Sequence, residues 1–475
     1  MRYYIIFIII LFIYFLKLMK NNLIILVCFV FHLFLIQYSY SYLIFPFKTR
    51  EPLINDTETN LTRFFRSLKY NHIYINLEIG EPKQTIDVFL ADTCDFYLSE
   101  KTKGDIRTNS PDPDIFDVNS DLNNFYDKNI SSSSEITNRT KFYLNHKGYI
   151  SNDNLHFISD SKENIIAKMP FILYNSTLGN RPGVIGLQII KAEIDKEYNF
   201  IDNLKENDVI KNYYWMINYT SENEGNFIIG EQPHKFDPQN YKEEDLLIAH
   251  PFAMTAMSLK WGLRFDEITF RERNFRPYHE CYFKYEYNYI EGIDNLEKEL
   301  DNYFNESIQN GTCFKEIHKY YPYEPYKYYY CDKEKYKDII KYFPPLEFYL
   351  KEMNYTFELN YKDLFVEKYD KLILMVFFPK YGSMDWNLGK PFLKKYSFIM
   401  NQDSKIIGYY DRKIIDNSNN NNNNITLKII LIVIGIIIIL ALGVALGKFI
   451  TKEKKRKNIM DDDGYDYTAK NDEIN

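Results

Sequence analysis

Between His72 and Cys94 the chain reads HIYINLEIGEPKQTIDVFLADTC, with apolar residues alternating in two runs: Ile73, Ile75, Leu77, Ile79, then Ile86, Val88, Leu90. A period of two places each apolar set on one face of a strand, and Gly80-Glu81-Pro82 supplies the turn between them. The hairpin ends on Asp92-Thr93-Cys94, so a carboxylate is carried at a strand end. Further short apolar runs follow, among them MPFILY, PGVIGLQII, YYWMINY, GNFIIG, KWGLRFDEITF, LEFYL, LILMVFF and YSFIMNQDSKIIGYYD. Helical patterning is confined to short pieces such as 295–304 and 202–212. Many short strands with closely spaced turn signals predict an all-β sandwich or barrel-like core.

The 475 residues suffice for one large or two medium domains. A net charge of −7 with both signs interspersed gives no basis for nucleic-acid binding. Two apolar blocks, 3–16 and 23–36, flank Lys17, Met19 and Lys20. Read from Met19, the second block has the basic start and apolar centre of a secretory signal peptide; the upstream block reads either as a misassigned start or as part of a signal anchor or hairpin. Residues 429–446 form an apolar run of bilayer length, followed by Lys452, Lys454, Lys455, Arg456 and Lys457, which mark the cytosolic side. These features predict a single-pass type I membrane protein of the secretory pathway or cell surface, with a monomeric lumenal or extracellular ectodomain.

The expected divisions are an N-terminal apolar segment (1–41), a short pro-like lead-in (42–68), two β lobes (69–210 and 211–412), an Asn-rich linker (413–427), a transmembrane helix (428–450) and a cytosolic tail (451–475). Four cysteines remain beyond the signal region, and the close pair Cys313 and Cys331 is the first choice for a disulfide, with the other pairings open. The eight histidines are scattered without paired spacing, so no metal or other cofactor is expected.

In order and spacing, these pieces resemble the pepsin-like aspartic proteases, peptidase family A1. YINLEIGEPKQTIDVFLADTC follows the family's path to its first D-T-G until the glycine. PGVIGL is similar to G-I-L-G-L, and KWGLRFDEITF to W-x-I-x-L-D-x-I-x-V. WNLGKPFLKKYSFIMNQDSKIIGYY matches the closing segment through Trp386, Leu388, Gly389, Phe392, Leu393, Tyr396 and Gly408. The resemblance implies a bilobal all-β fold with a central cleft for a peptide or protein segment. It also implies one catalytic Asp from each lobe, the two sharing a proton so that one acts as base and the other as acid.

Asp92 takes the first aspartate's place, with Thr93 beside it, but Cys94 replaces the glycine and Asp95 the following serine. No D-T-G or D-S-G follows downstream. Counting back from Gly292 places Lys284-Tyr285-Glu286 at the second triad, where Lys284 would form an ion pair with Asp92 and leave no proton to share. A register slip of two would make Glu286 the partner carboxylate. The flap falls at FYLNHKGYISNDNL, with Lys141 at the usual tyrosine position and Tyr143 two places on. The expected function is therefore a membrane-anchored pepsin-like protein, catalytically weakened or inactive, that uses its cleft for binding; the alternative is an active endopeptidase with a divergent Asp92–Glu286 dyad.

Lumenal exposure makes the sequons at Asn55, Asn60, Asn129, Asn138, Asn175, Asn218, Asn305, Asn310, Asn354 and Asn424 glycosylation candidates. Enzymatic removal of N-glycans from protein made in a glycosylating cell is expected to increase its gel mobility. An unchanged mobility would contradict the lumenal topology.

Overall fold

The structure is a computed structural model, and it describes residues 42–49, 64–65, 68, 72–100, 125–143, 146–159, 164–175, 182–189, 196–255, 258–275, 279–318 and 325–411. The expected signal segment, Asn-rich linker, transmembrane run and cytosolic tail lie outside the described residues. Among those described, no helix is long and apolar enough to cross a membrane.

The alternation in the opening hairpin becomes two paired strands. Ile73–Ile79 lies antiparallel to Gln84–Ala91, with Ile75 opposite Val88 and Leu77 opposite Ile86. Ile73, Ile75, Leu77 and Ile79 are all buried, while Asn76 and Glu78 face outward. These strands sit within a thirteen-stranded sheet. At one end of it lie Leu246–Ala249, Ile406–Tyr410, Phe398–Asn401, Tyr214–Tyr219 and Glu224–Ile229; at the other lie Gly183–Gly186, Phe96–Glu100, Asn164–Asn175, His146–Ile158 and Glu135–Tyr143.

Leu43–Thr49, within the segment read as a lead-in, supplies the strand that joins these two ends. It pairs with Glu224–Ile229 on one side and Ile73–Ile79 on the other. Leu43 and Phe47 are buried, and Phe45 packs on the same core. Their period-two spacing is the signal that a polar average over residues 42–68 obscured. Phe64, Phe65 and Leu68 then dock on the second lobe, where Phe65 stacks on His318 and meets Tyr328 edge-on.

The second lobe is built on a nine-stranded sheet that includes Gly262–Phe265, His279–Phe283, Trp386–Leu388, Ile290–Glu291 and Val376–Pro379, with a separate four-stranded sheet beside it. Asp294–Gln309 is its long helix, burying Leu296, Leu300 and Phe304 at four-residue spacing. Lys315 and Lys327 tie this helix to the neighbouring hairpin through Glu297, at 2.8 and 2.7 Å. In that hairpin Cys313 and Cys331 are directly opposed and joined by a disulfide. One apolar core runs through both lobes, with Trp215, Trp386 and Phe392 wholly buried within it.

A shorter helix, Phe200–Glu206, is capped by Asn199, whose side chain accepts from the amides of Ile201 and Asp202. Burial raises the Asp202 carboxyl to about 6, and one of its oxygens has no hydrogen-bond partner among the described residues. A carboxyl whose folded pKa lies above its unfolded value of about 3.9 stabilises the fold at low pH, and that contribution is lost as pH rises through about 6. Asp202→Asn is therefore expected to stabilise the protein at neutral pH by about 1 kcal/mol and to have little effect near pH 4, as read from urea unfolding. Equal effects at both pH values would contradict this.

Candidate active site

The same local topology occurs twice. Gln84–Ala91 runs parallel to Gly183–Gly186 and delivers Asp92; His279–Phe283 runs parallel to Trp386–Leu388 and delivers Lys284. After each turn the chain returns antiparallel to the same short strand, as Phe96–Glu100 in the first lobe and Ile290–Glu291 in the second. A Cβ on Gly186 would strike the backbone of Thr93 and Cys94, and one on Gly389 the backbone of Tyr287 and Tyr289. Glycine at both positions lets each turn settle directly on the strand beneath it.

The register identifies what stands opposite Asp92. Ala91 pairs with Gly186, and Phe283 pairs with Leu388, so one further step sets Lys284 against Gly389. The position matching Asp92 by register is then Tyr285, and by the gapless count it is Lys284; neither is a carboxylate. Lys284 Nζ donates to Asp92 Oδ2 in an ion pair whose side chains are 17 % and 19 % exposed. Glu286 also reaches the site, but its Oε1 accepts from the backbone N–H of Asp92, at 2.9 Å. Burial, with the Asp92 charge nearby, pushes the Tyr285 hydroxyl well above its ordinary value, which makes it a poor proton donor.

The first turn is held by residues that sequence reading did not single out. Gln188 Nε2 donates to Asp92 O at 2.9 Å, Gln188 Oε1 accepts from Cys94 Sγ at 3.4 Å, and the Gln188 amide donates to Thr93 O at 2.9 Å. Asn199 Nδ2 donates to Cys94 O at 3.0 Å, so one side chain caps a helix and braces the turn. The Thr93 hydroxyl is buried without a hydrogen-bond partner among the described residues. The only sequence hint of these braces is a polar Gln188 directly after the buried PGVIGL run.

Below the turns, Trp261 Nε1 donates to Leu187 O at 2.6 Å, and Trp215 packs edge-on to both Trp261 and Tyr285. The flap stretch forms a hairpin, Glu135–Tyr143 with His146–Ile158, in which Lys141 pairs with Gly148 and Tyr143 with His146. The Tyr143 side chain lies outside the described residues. Lys141 Nζ bonds Asp95 Oδ1 at 2.6 Å. No group of three or more His, Cys, Asp or Glu side chains suited to a metal occurs among the described residues. The disulfide of Cys313 and Cys331 lies in a different hairpin from either turn.

Of the sequon asparagines, Asn129, Asn138, Asn305, Asn310 and Asn354 are exposed. Asn218 is half-buried, its Oδ1 accepting from Ser397 Oγ at 3.1 Å. Asn55, Asn60, Asn424 and the side chain of Asn175 lie outside the described residues.

Lys284→Met leaves the Asp92 carboxylate without its ammonium partner and is expected to destabilise the fold by about 1–3 kcal/mol. Adding Asp92→Asn is expected to recover most of that loss. Urea unfolding of the two single variants and the double variant measures the coupling, and strictly additive effects would contradict it.

A search of curated proteins finds no match to this chain. A family model for eukaryotic aspartyl protease matches residues 72–410, which takes in the opening hairpin, both turns and the closing strands. The chain therefore belongs to the eukaryotic aspartyl protease family, as a pepsin-like A1 protein.

Proposed function

We propose that this pepsin-like domain binds a peptide or protein segment in its cleft with little or no hydrolysis, and that it is held at a membrane by residues 428–450. The observation that carries the reading is the ion pair between Lys284 and Asp92. Aspartic catalysis needs two carboxylates in contact with one proton between them. Here a lysine donor takes up one Asp92 oxygen and Glu286 is bonded to main chain. The cleft architecture, by contrast, rests on glycines and backbone hydrogen bonds that do not require a working dyad.

A second reading has one observation in its favour: Glu286 lies within hydrogen-bond reach of the Asp92 backbone. Movement of Lys284 away from Asp92 in acid would leave Asp92 and Glu286 as the nearest carboxylates at this centre, as an endopeptidase requires.

The deciding experiment incubates the purified full chain with a denatured protein at acid pH, with and without pepstatin, and measures binding of that denatured protein by calorimetry. Binding without pepstatin-sensitive cleavage is the expected result. Cleavage that pepstatin blocks, and that both Asp92→Ala and Glu286→Gln abolish, would overturn the proposal in favour of the active enzyme. Release of the protein from membranes by alkaline carbonate would overturn the anchoring.

A further inference from the structure

The turn that joins Tyr214–Tyr219 to Glu224–Ile229 carries Glu222 and Asn223 against the second lobe's helix Lys390–Lys395. There one carboxylate is shared by two ammonium groups: Glu222 Oε1 lies 2.9 Å from Lys390 Nζ, and Glu222 Oε2 accepts from Lys394 Nζ. Lys390 Nζ also donates to Asn223 Oδ1 at 3.3 Å. Lysine is rarely buried, yet the Lys390 side chain is only 9 % exposed, whereas that of Glu222 is 60 % exposed. The deeper member of this group is the cation.

These residues line a pocket of about 370 Å³, within the size range of small-molecule sites, roughly 300–1,000 Å³. Lys362 and Lys368 bring the ammonium groups in its lining to four. The lining holds two carboxylates, Glu222 and Asp363, and both are engaged, Asp363 by Lys395 Nζ at 2.7 Å and by Asn360 N at 2.9 Å. The pocket therefore carries an excess of positive charge. Its apolar side is made by Phe64, Leu68 and Met375, buried members of one cluster.

We propose that this pocket binds a small amphipathic anion, a carboxylate on an unbranched apolar chain. Glu222 already shows how a carboxylate is taken up here, bridging two ammonium groups through its two oxygens. A ligand carboxylate compensates the remaining positive charge, and its chain covers Phe64, Leu68 and Met375. A cation on the same chain would meet like charge instead. Asn288, in the turn that carries Lys284, lines the pocket as well and donates to Leu68 O at 2.8 Å. Neither Asp92 nor Lys284 lines it, so the site does not rest on the reading of the cleft as a peptide site.

Photo-crosslinking of the full chain with a ten-carbon fatty acid that carries a diazirine on its chain, mapped by peptide mass spectrometry, tests the site. Label is expected on peptides covering 361–368 and 373–395. Excess decanoate should remove it, butyrate should compete at least about tenfold more weakly for want of apolar chain, and decyltrimethylammonium should not compete. Neutralising two of the cations, Lys368→Gln with Lys394→Gln, should lower the label about tenfold at subsaturating probe. Val366→Phe, which fills the pocket and leaves its charges in place, should lower it as well. Label scattered over the chain, equal competition by the cationic amphiphile, or label that survives both variants would overturn the proposal. If one variant fails to fold, the other and the competition series still decide.

Discussion

The centre of this protein depends on two close approaches of main chain to main chain. Gly186 beneath the Thr93–Cys94 turn and Gly389 beneath Tyr287 and Tyr289 leave no room for a side chain, so each lobe must turn where it does. Everything that defines the cleft floor follows from this: the parallel pairing that precedes each turn, the antiparallel return after it, and the facing of Asp92 and Lys284 across the midline. Hydrogen bonds from Leu187 to Ala91 and from Lys284 to Leu388 continue the same ladders into the turns.

The scaffold was legible in the sequence because burial writes itself as periodicity. Ile73, Ile75 and Leu77 announce a one-sided strand, and Trp386, Leu388 and Gly389 mark the crossing strand of the second lobe; both elements form where the pattern placed them. The helix read at 295–304 extends over Asp294–Gln309, and its added turn carries Ile308, four residues after Phe304 and packed on the same core. Leu43–Thr49 was passed over because a seven-residue strand flanked by an apolar leader and a polar stretch has no turn signals of its own.

The site was legible only in part, for a different reason. Motif spacing located Asp92, Lys284 and Glu286 near one another, but it could not say which atom meets which. That Glu286 engages a backbone N–H rather than a carboxylate depends on a turn one residue longer than its first-lobe counterpart, measured between the matched strands. Gln188, Asn199 and Lys141 act across separations of 46 residues or more, where no local pattern constrains them. Polar contacts of this kind arise from tertiary packing and leave no period behind.

The Gln188 clamp has a consequence for how such a protein changes over time. It grips the carbonyl of residue 92 and the side chain at 94, and asks nothing of the side chain at 92 itself. Shape and chemistry are therefore separable at this turn: its backbone contour is held without the side chain at 92, whose identity is tied instead to Lys284. A change of chemistry at this centre therefore takes paired substitutions at residues 92 and 284, while the turn itself keeps its contour.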